Sequence, residues 1–139
     1  MLFRSDYVAD LGDGWDSTYA VASLLASPSL TLSLRDGSTG PVKTERGRLL
    51  VMGGDEVYPT ASREGYQERT VGPYECALRE TDPPHPNLFA IPGNHDWYDG
   101  LVSFSRLFCQ ERWFGGWKTR QRRTYFAIQL PHRDRKSVV

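Results

Sequence analysis

Three chemically distinct side chains, Asn94, His95 and Asp96, follow Gly93 at the end of the apolar run Asn87-Leu88-Phe89-Ala90-Ile91-Pro92. An amide oxygen, an imidazole and a carboxylate therefore meet where a strand gives way to a loop. Metal-assisted phosphoester chemistry calls for that set: a neutral oxygen ligand, a proton donor beside it, and an acid to hold the donor's ring. Two upstream runs have the same build, apolar strand then Asp-rich turn. They are Tyr7-Val8-Ala9-Asp10-Leu11-Gly12-Asp13 and Leu49-Leu50-Val51-Met52-Gly53-Gly54-Asp55-Glu56-Val57-Tyr58. Phosphoester hydrolysis brings an anionic nucleophile to an anionic centre, and two cations about 3.5–4 Å apart make this feasible. On this reading Asp10 holds the first metal, Asp55 bridges both and Asn94 holds the second. His95 donates a proton to the leaving oxygen or stabilises the transition state, and Asp96 fixes its tautomer. Oxygen donors suit Mn or Mg; a mixed nitrogen and oxygen shell also suits Fe or Zn.

The elements that must position these residues follow from periodicity. Residues 6–9, 48–52 and 88–91 read as short buried strands, each ending at an Asp or Asn turn. A helix is expected over residues 17–26, capped by Asp16 or Ser17 and followed by Pro28. Leu30, Leu32 and Leu34 alternate as in a half-buried strand, and Asp36-Gly37 marks a turn. A second helix is expected over residues 61–69, resuming after Pro73 to residue 79. A third, over 100–110, is capped by Asp99 and buries Leu101, Phe104, Leu107 and Phe108. Residues 124–130 read as a further strand. Strands alternating with helices predict an α/β layered fold, in which ligands bind at the carboxyl ends of the strands. Glu56 and His85 are expected in solvent, and Asp13 and Asp16 as turn and cap residues. Trp113, Phe114 and Trp117 are expected to pack; Trp97 and Tyr98 either pack or wall the phosphate pocket.

Composition restricts the class. The 139 residues are 39% hydrophobic and 24% charged, which fits a globular chain of one domain or part of one. No apolar run reaches membrane-spanning length. Cys76 and Cys109 form no C-x-x-C motif and are expected as thiols, with a lean to a cytoplasmic location. Net charge is zero but uneven: residues 1–100 carry 8 Lys and Arg against 15 Asp and Glu, and residues 101–139 carry 9 against 2. Acid gathered around a metal site and arginines (Arg120, Arg122, Arg123) on a solvated strand edge explain this split. Nucleic acid is not an expected partner, because no aromatic-plus-basic RNA motif accompanies the arginines. Oligomeric state has no signature in the sequence.

Asp10-x-Gly12, Gly54-Asp55-x-x-Tyr58 and Gly93-Asn94-His95-Asp96, in that order, resemble the first three motifs of the calcineurin-like metallophosphoesterase superfamily. The spacings are 45 residues from Asp10 to Asp55 and 39 to Asn94. The resemblance runs from Asp6 to Phe126 and extends to bacterial phosphoesterases of that superfamily with no assigned substrate. It implies a double β-sandwich flanked by helices and two metal ions (Mn, Fe or Zn) as cofactors. The usual first motif is D-x-H, and Gly12 stands where its His would be. The D-x-G variant with G-D-x-x-Y resembles the purple acid phosphatase pattern, in which the tyrosine supplies a ferric ligand. Tyr58 matches that position, and both a ligand role and an aromatic-wall role stay open for it, as does Asp13 as substitute ligand.

Two later motifs of that superfamily, a single His and a G-H-x-H, have no counterpart; His132 is the one His after His95. The expected fold is therefore the N-terminal half of a metallophosphoesterase-type β-sandwich (layered α-β-β-α), incomplete, over residues 1–133. Residues 134–139 resemble a sequencing-adapter oligonucleotide read in frame and are expected to be a non-native tail. The expected function is hydrolysis of phosphate mono- or diesters by hydroxide activated at two metals. The 139 residues alone are expected to bind metal weakly and turn over little. The alternative is a non-catalytic remnant that binds metal or phosphate.

Overall fold

A computed structural model describes residues 3–130 and 135–138, apart from residues 34, 36, 38 and 39. Three short strands, β1 (Ser5–Val8), β4 (Leu49–Met52) and β5 (Asn87–Ala90), run parallel, with Ser5 opposite Leu49 and Leu49 opposite Asn87. A hairpin of β6 (Trp113–Phe114) and β7 (Trp117–Thr119) extends the sheet, β7 lying parallel to β5, to give the order β1-β4-β5-β7-β6. Strand β4 is Leu-Leu-Val-Met and buried at every position. That composition suits a central parallel strand with both faces covered. Alternation sends Leu50, Met52, Leu88 and Ala90 to one face, where Ala22, Tyr74, Phe104 and Phe108 pack on them. Leu49 and Val51 take the other face, with Phe89 and Phe126.

The result is a mixed α/β chain with a mostly parallel sheet, as the alternation of elements predicts. The expected strands of the sheet lie within one residue of their predicted starts. Helix α1 (Trp15–Ala26) begins two residues early: the extended backbone of Gly14 precedes it, and no side chain caps it. Ser17 instead donates to Asp13 Oδ1 at 2.7 Å and Asp16 lies within the first turn, which corrects both capping assignments. The second helical segment does not break at Pro73. It runs as α2 (Arg63–Tyr66), a π-helical turn (Gln67–Val71) and α3 (Gly72–Ala77). The Gly72 N–H bonds Gln67 O, five residues back, so the register changes just before Pro73 and its missing N–H falls at the start of α3. Helix α4 (Val102–Phe108) is shorter than the expected 100–110 and has left-handed Leu101 at its N-cap position, while Asp99 still serves its first turn, its two oxygens accepting from Val102 N and Ser103 N.

Two hairpins were not legible from periodicity. Strand β2 (Ser29–Leu32) pairs antiparallel with β3 (Val42–Glu45), and β6 pairs with β7 around Gly115 and Gly116. Gly115 has φ +58, and a Cβ there would lie 2.7 Å from Leu78 O. The last expected strand is β8 (Phe126–Gln129), paired with β9 (Arg135–Val138) rather than with the main sheet. Residues 135–138 of the expected tail are therefore in a strand. Arg120, Arg122 and Arg123 follow β7 in a loop, not a strand edge; Arg120 bonds Asn87 and Arg122 pairs with Glu111. His85 is half-buried, with Nδ1 3.2 Å from Gly116 O and its ring edge-on to Trp113. Leu34, Asp36, His132 and Asp134 lie outside the described residues. No helix among the described residues is long and apolar enough to cross a membrane.

Candidate metal centre

Parallel β1, β4 and β5 deliver their following loops to one rim of the sheet. The first loop is fixed to the second by backbone hydrogen bonds: Asp10 N to Gly54 O, Gly53 N to Val8 O, and Tyr58 N to Gly12 O. Gly12 has φ +88, and a Cβ there would fall 2.1 Å from Glu56 O. No side chain, imidazole included, fits at position 12 without moving the second loop. Thr18, buried in α1, accepts from Gly12 N through its hydroxyl and holds the turn.

Asp10 and Asp55 occupy similar places, two and three residues past their strands. Both adopt left-handed backbone, φ +56 and +55, which Asp tolerates better than most residues but which still costs energy. Their carboxylates meet at one phenol. Tyr58 Oη lies 3.0 Å from Asp10 Oδ1 and 3.2 Å from Asp55 Oδ2. A phenol has a single proton, so it can satisfy only one of these two acceptors at a time. Loss of water and then the two carboxylates push the Tyr58 phenol above its ordinary value, so it keeps that proton at neutral pH. Asp55 Oδ1 accepts from His95 N at 2.9 Å, which ties the second loop to the third. Gly93 is held to glycine by this approach, because a Cβ would lie 2.2 Å from Asp55 Oδ1.

The expected contact between Asp96 and the His95 ring is not made. His95 Nδ1 lies 2.6 Å from the Pro59 carbonyl. A carbonyl can only accept, so Nδ1 carries the proton and Nε2 carries the lone pair in the neutral ring. Asp96 is instead fully buried (0% exposed) and faces the backbone. Its Oδ2 accepts from Asp55 N and Gly93 N, both at 2.8 Å, and its Oδ1 accepts from the Tyr66 hydroxyl. Asp96 thus clamps the rim loops together and does not orient the imidazole. Glu56, expected in solvent, is 3% exposed beside it. Burial first, then the Asp96 carboxylate, holds Glu56 well above the usual carboxylate range, and its Oε1 accepts from Gly54 N. Tyr66 is also raised, by burial and then by Asp96.

The rim therefore gathers Asp10, Asp55, Tyr58 and His95 through shared contacts, with the His95 and Tyr58 rings 4.4 Å apart. Asn94 is exposed at the start of the same turn, and its amide makes no hydrogen bond among the described residues. Trp97 and Tyr98 are 58% and 60% exposed, so neither packs in the core; Tyr98 stands edge-on to His95. The residues that sequence reasoning missed are Glu56, Tyr66 and the Pro59 carbonyl. Glu56 in the run Gly54-Asp55-Glu56-Val57 carried one weak signal, its place directly before the buried apolar Val57.

Asp10, Asp55, Tyr58 and Asn94 offer oxygen donors, which suit a hard cation such as Mn or Mg. Among the described residues no group of three or more His, Cys, Asp or Glu side chains is placed to hold a metal ion. Asp10 and Asp55 share one phenolic contact, and the described residues supply no imidazole cluster beside it. No protein-family model, curated protein or solved structure matches the chain.

Proposed function

We propose that this rim is the cation-holding part of a metal-dependent phosphoester hydrolase site, built on the metallophosphoesterase type of layered fold. The observation that carries the reading is the convergence of Asp10 and Asp55 on one phenolic oxygen. Three oxygens share a single hydrogen-bonding proton there, and both aspartates sit in unfavourable backbone conformations. A cation relieves such an excess of oxygen lone pairs, and strained backbone concentrates at functional sites. A cation bound there supplies Lewis acidity to water and charge neutralisation to phosphoryl oxygens. Asp10 and Asp55 would hold it, with Tyr58 and Asn94 as further oxygen donors. His95 presents Nε2 outward from a ring fixed by Pro59 O; charged, that nitrogen donates a proton to a leaving oxygen.

A non-catalytic metal or phosphate binder is the second reading, favoured because no group of three or more His, Cys, Asp or Glu side chains gathers among the described residues. Calorimetric titration with Mn2+ tests what the two share. The chain is expected to bind Mn2+, and Asp55→Asn to weaken it tenfold or more, about 1.4 kcal/mol. Absence of Mn2+ binding to the unaltered chain, or an Asp55→Asn chain that binds equally, removes the hydrolase and the metal binder and leaves phosphate binding alone. Hydrolysis of p-nitrophenyl phosphate or its bis-ester, abolished by Asp55→Asn, selects the hydrolase.

A further inference from the structure

Arg69 lies in the π-helical turn Gln67–Val71, the irregular part of an otherwise α-helical segment. Such turns widen a helix locally and recur at functional sites. The half-buried Arg69 side chain crosses to the rim, where Nη1 donates to Tyr58 O at 2.7 Å and reaches Asp13 O at 3.4 Å. It therefore touches the loops that follow both β1 and β4. Its neighbour Thr70 anchors the turn from the other side, its hydroxyl donating to Glu56 O.

Two features separate Arg69 from a structural arginine. It has no carboxylate within ion-pair distance among the described residues, where the two ion pairs belong to Arg4 and Arg122. Its Nη2 and Nε make no hydrogen bond among those residues, so the outer fork of the guanidinium has three donors to offer. The acceptors also place it. Arg69 holds the Tyr58 carbonyl and His95 holds the Pro59 carbonyl, so a guanidinium and an imidazole grip two successive carbonyls of one dipeptide. A half-buried guanidinium that spends one nitrogen on two loop carbonyls and leaves three donors without a protein acceptor among the described residues is poorly explained by packing. It is well explained by an anion that arrives with the substrate.

We infer that Arg69 is the anion-binding residue of the rim, its guanidinium fork taking two non-bridging oxygens of a phosphoryl group whose leaving oxygen faces His95. This inference rests on the phosphoester reading of the same site. A planar fork matches a phosphoryl group in a way that an ammonium does not, so lysine at this position is a partial substitute.

Calorimetry with inorganic phosphate, on the whole chain with and without Mn2+, tests it. Arg69→Met is expected to keep Mn2+ affinity within twofold and to weaken phosphate binding tenfold or more; Arg69→Lys is expected to weaken phosphate three- to tenfold. Phosphate affinity within twofold of the unaltered chain in Arg69→Met overturns the inference. So does a parallel loss of Mn2+ affinity, which would make Arg69 a loop tie only. If Arg69→Met does not fold, Arg69→Lys decides by the same comparison: phosphate weakened at least threefold with Mn2+ unchanged supports it, and unchanged phosphate overturns it. If the unaltered chain binds no Mn2+, the metal reading fails by itself. Arg69-dependent phosphate binding without metal then sustains the arginine's role, and its absence refutes that role too.

Discussion

Individual residues at the rim divide by what the sequence can express. Asp10, Asp55 and Asn94 were legible because each ends an apolar run, and a parallel sheet must bring such ends to one side. The duty of Asp96 was not legible, because its partners are backbone N–H groups of Asp55 and Gly93, and any residue type presents those. For the same reason nothing in the sequence pointed to Pro59 O as the partner of His95. Glu56 is the residue with the clearest thermodynamic consequence. Its folded pKa is raised well above 4.5, the value of an ordinary glutamate, so in the folded chain it stays neutral where the unfolded chain ionises. The resulting stability is fully present below the unfolded pKa and is lost as pH rises toward the folded one, at about 1.4 kcal/mol per pH unit in between. Glu56→Gln keeps the neutral shape and the acceptor for Gly54 N but removes the titration. Urea unfolding of the metal-free chain between pH 5 and pH 8 should show the variant gaining stability relative to the unaltered chain as pH rises. A difference that stays constant over that range would mean that Glu56 is ionised in the fold.

At the level of elements, loop contact depends on glycine where two backbones approach. Gly12 illustrates this: its carbonyl accepts from Tyr58 N, its N–H is held by Thr18, and its φ of +88 is poorly accessible to other residues. Gly12→Ala meets backbone at Glu56, not a yielding side chain, so the β1–α1 loop and the β4–α2 loop must separate. Thermal or urea unfolding should register a loss of about 2 kcal/mol or more, combining strain with disrupted loop contacts. Mn2+ affinity should fall with it, since Asp10 and Tyr58 lie on opposite sides of that contact. An alanine variant of unchanged stability would show that the loops are not coupled this way. The π-helical turn carrying Arg69 belongs to the same scale and was hidden from sequence reasoning. Apolar spacing reports a helix but not a shift in its hydrogen-bond register, and Pro73 suggested a break where the register change absorbs its missing donor.

Across the whole molecule the sheet is supported unequally on its two faces, and this bears on how the rim is held. The larger cluster joins the helices to Leu50, Met52, Leu88 and Ala90 and contains Phe108 and Trp117. The smaller one covers Leu49 and Val51 chiefly with Phe126, whose ring lies 4.8 Å from Phe89. Continuous apolar runs predicted buried strands, but the sequence could not say how much would cover each face, because that depends on which distant elements pair. Strand β8 pairs outside the main sheet and still contributes its side chains to the smaller cluster. The rim loops spring from the sheet and are braced by Tyr66 and Thr70, on the helical side, with Tyr66 in the larger cluster. Phe108 stacks edge-on with Tyr66, the donor to Asp96, so truncation there should reach the rim loops. Phe108→Ala is expected to cost about 3–5 kcal/mol and to weaken Mn2+ binding. Phe126→Ala, in the thinner cluster, is expected to cost less and to leave Mn2+ affinity within twofold. Urea unfolding and Mn2+ calorimetry on both variants check the pair. Equal losses of Mn2+ affinity would show that the rim depends on the sheet as a whole, and the reverse order would place its support on the β8 face.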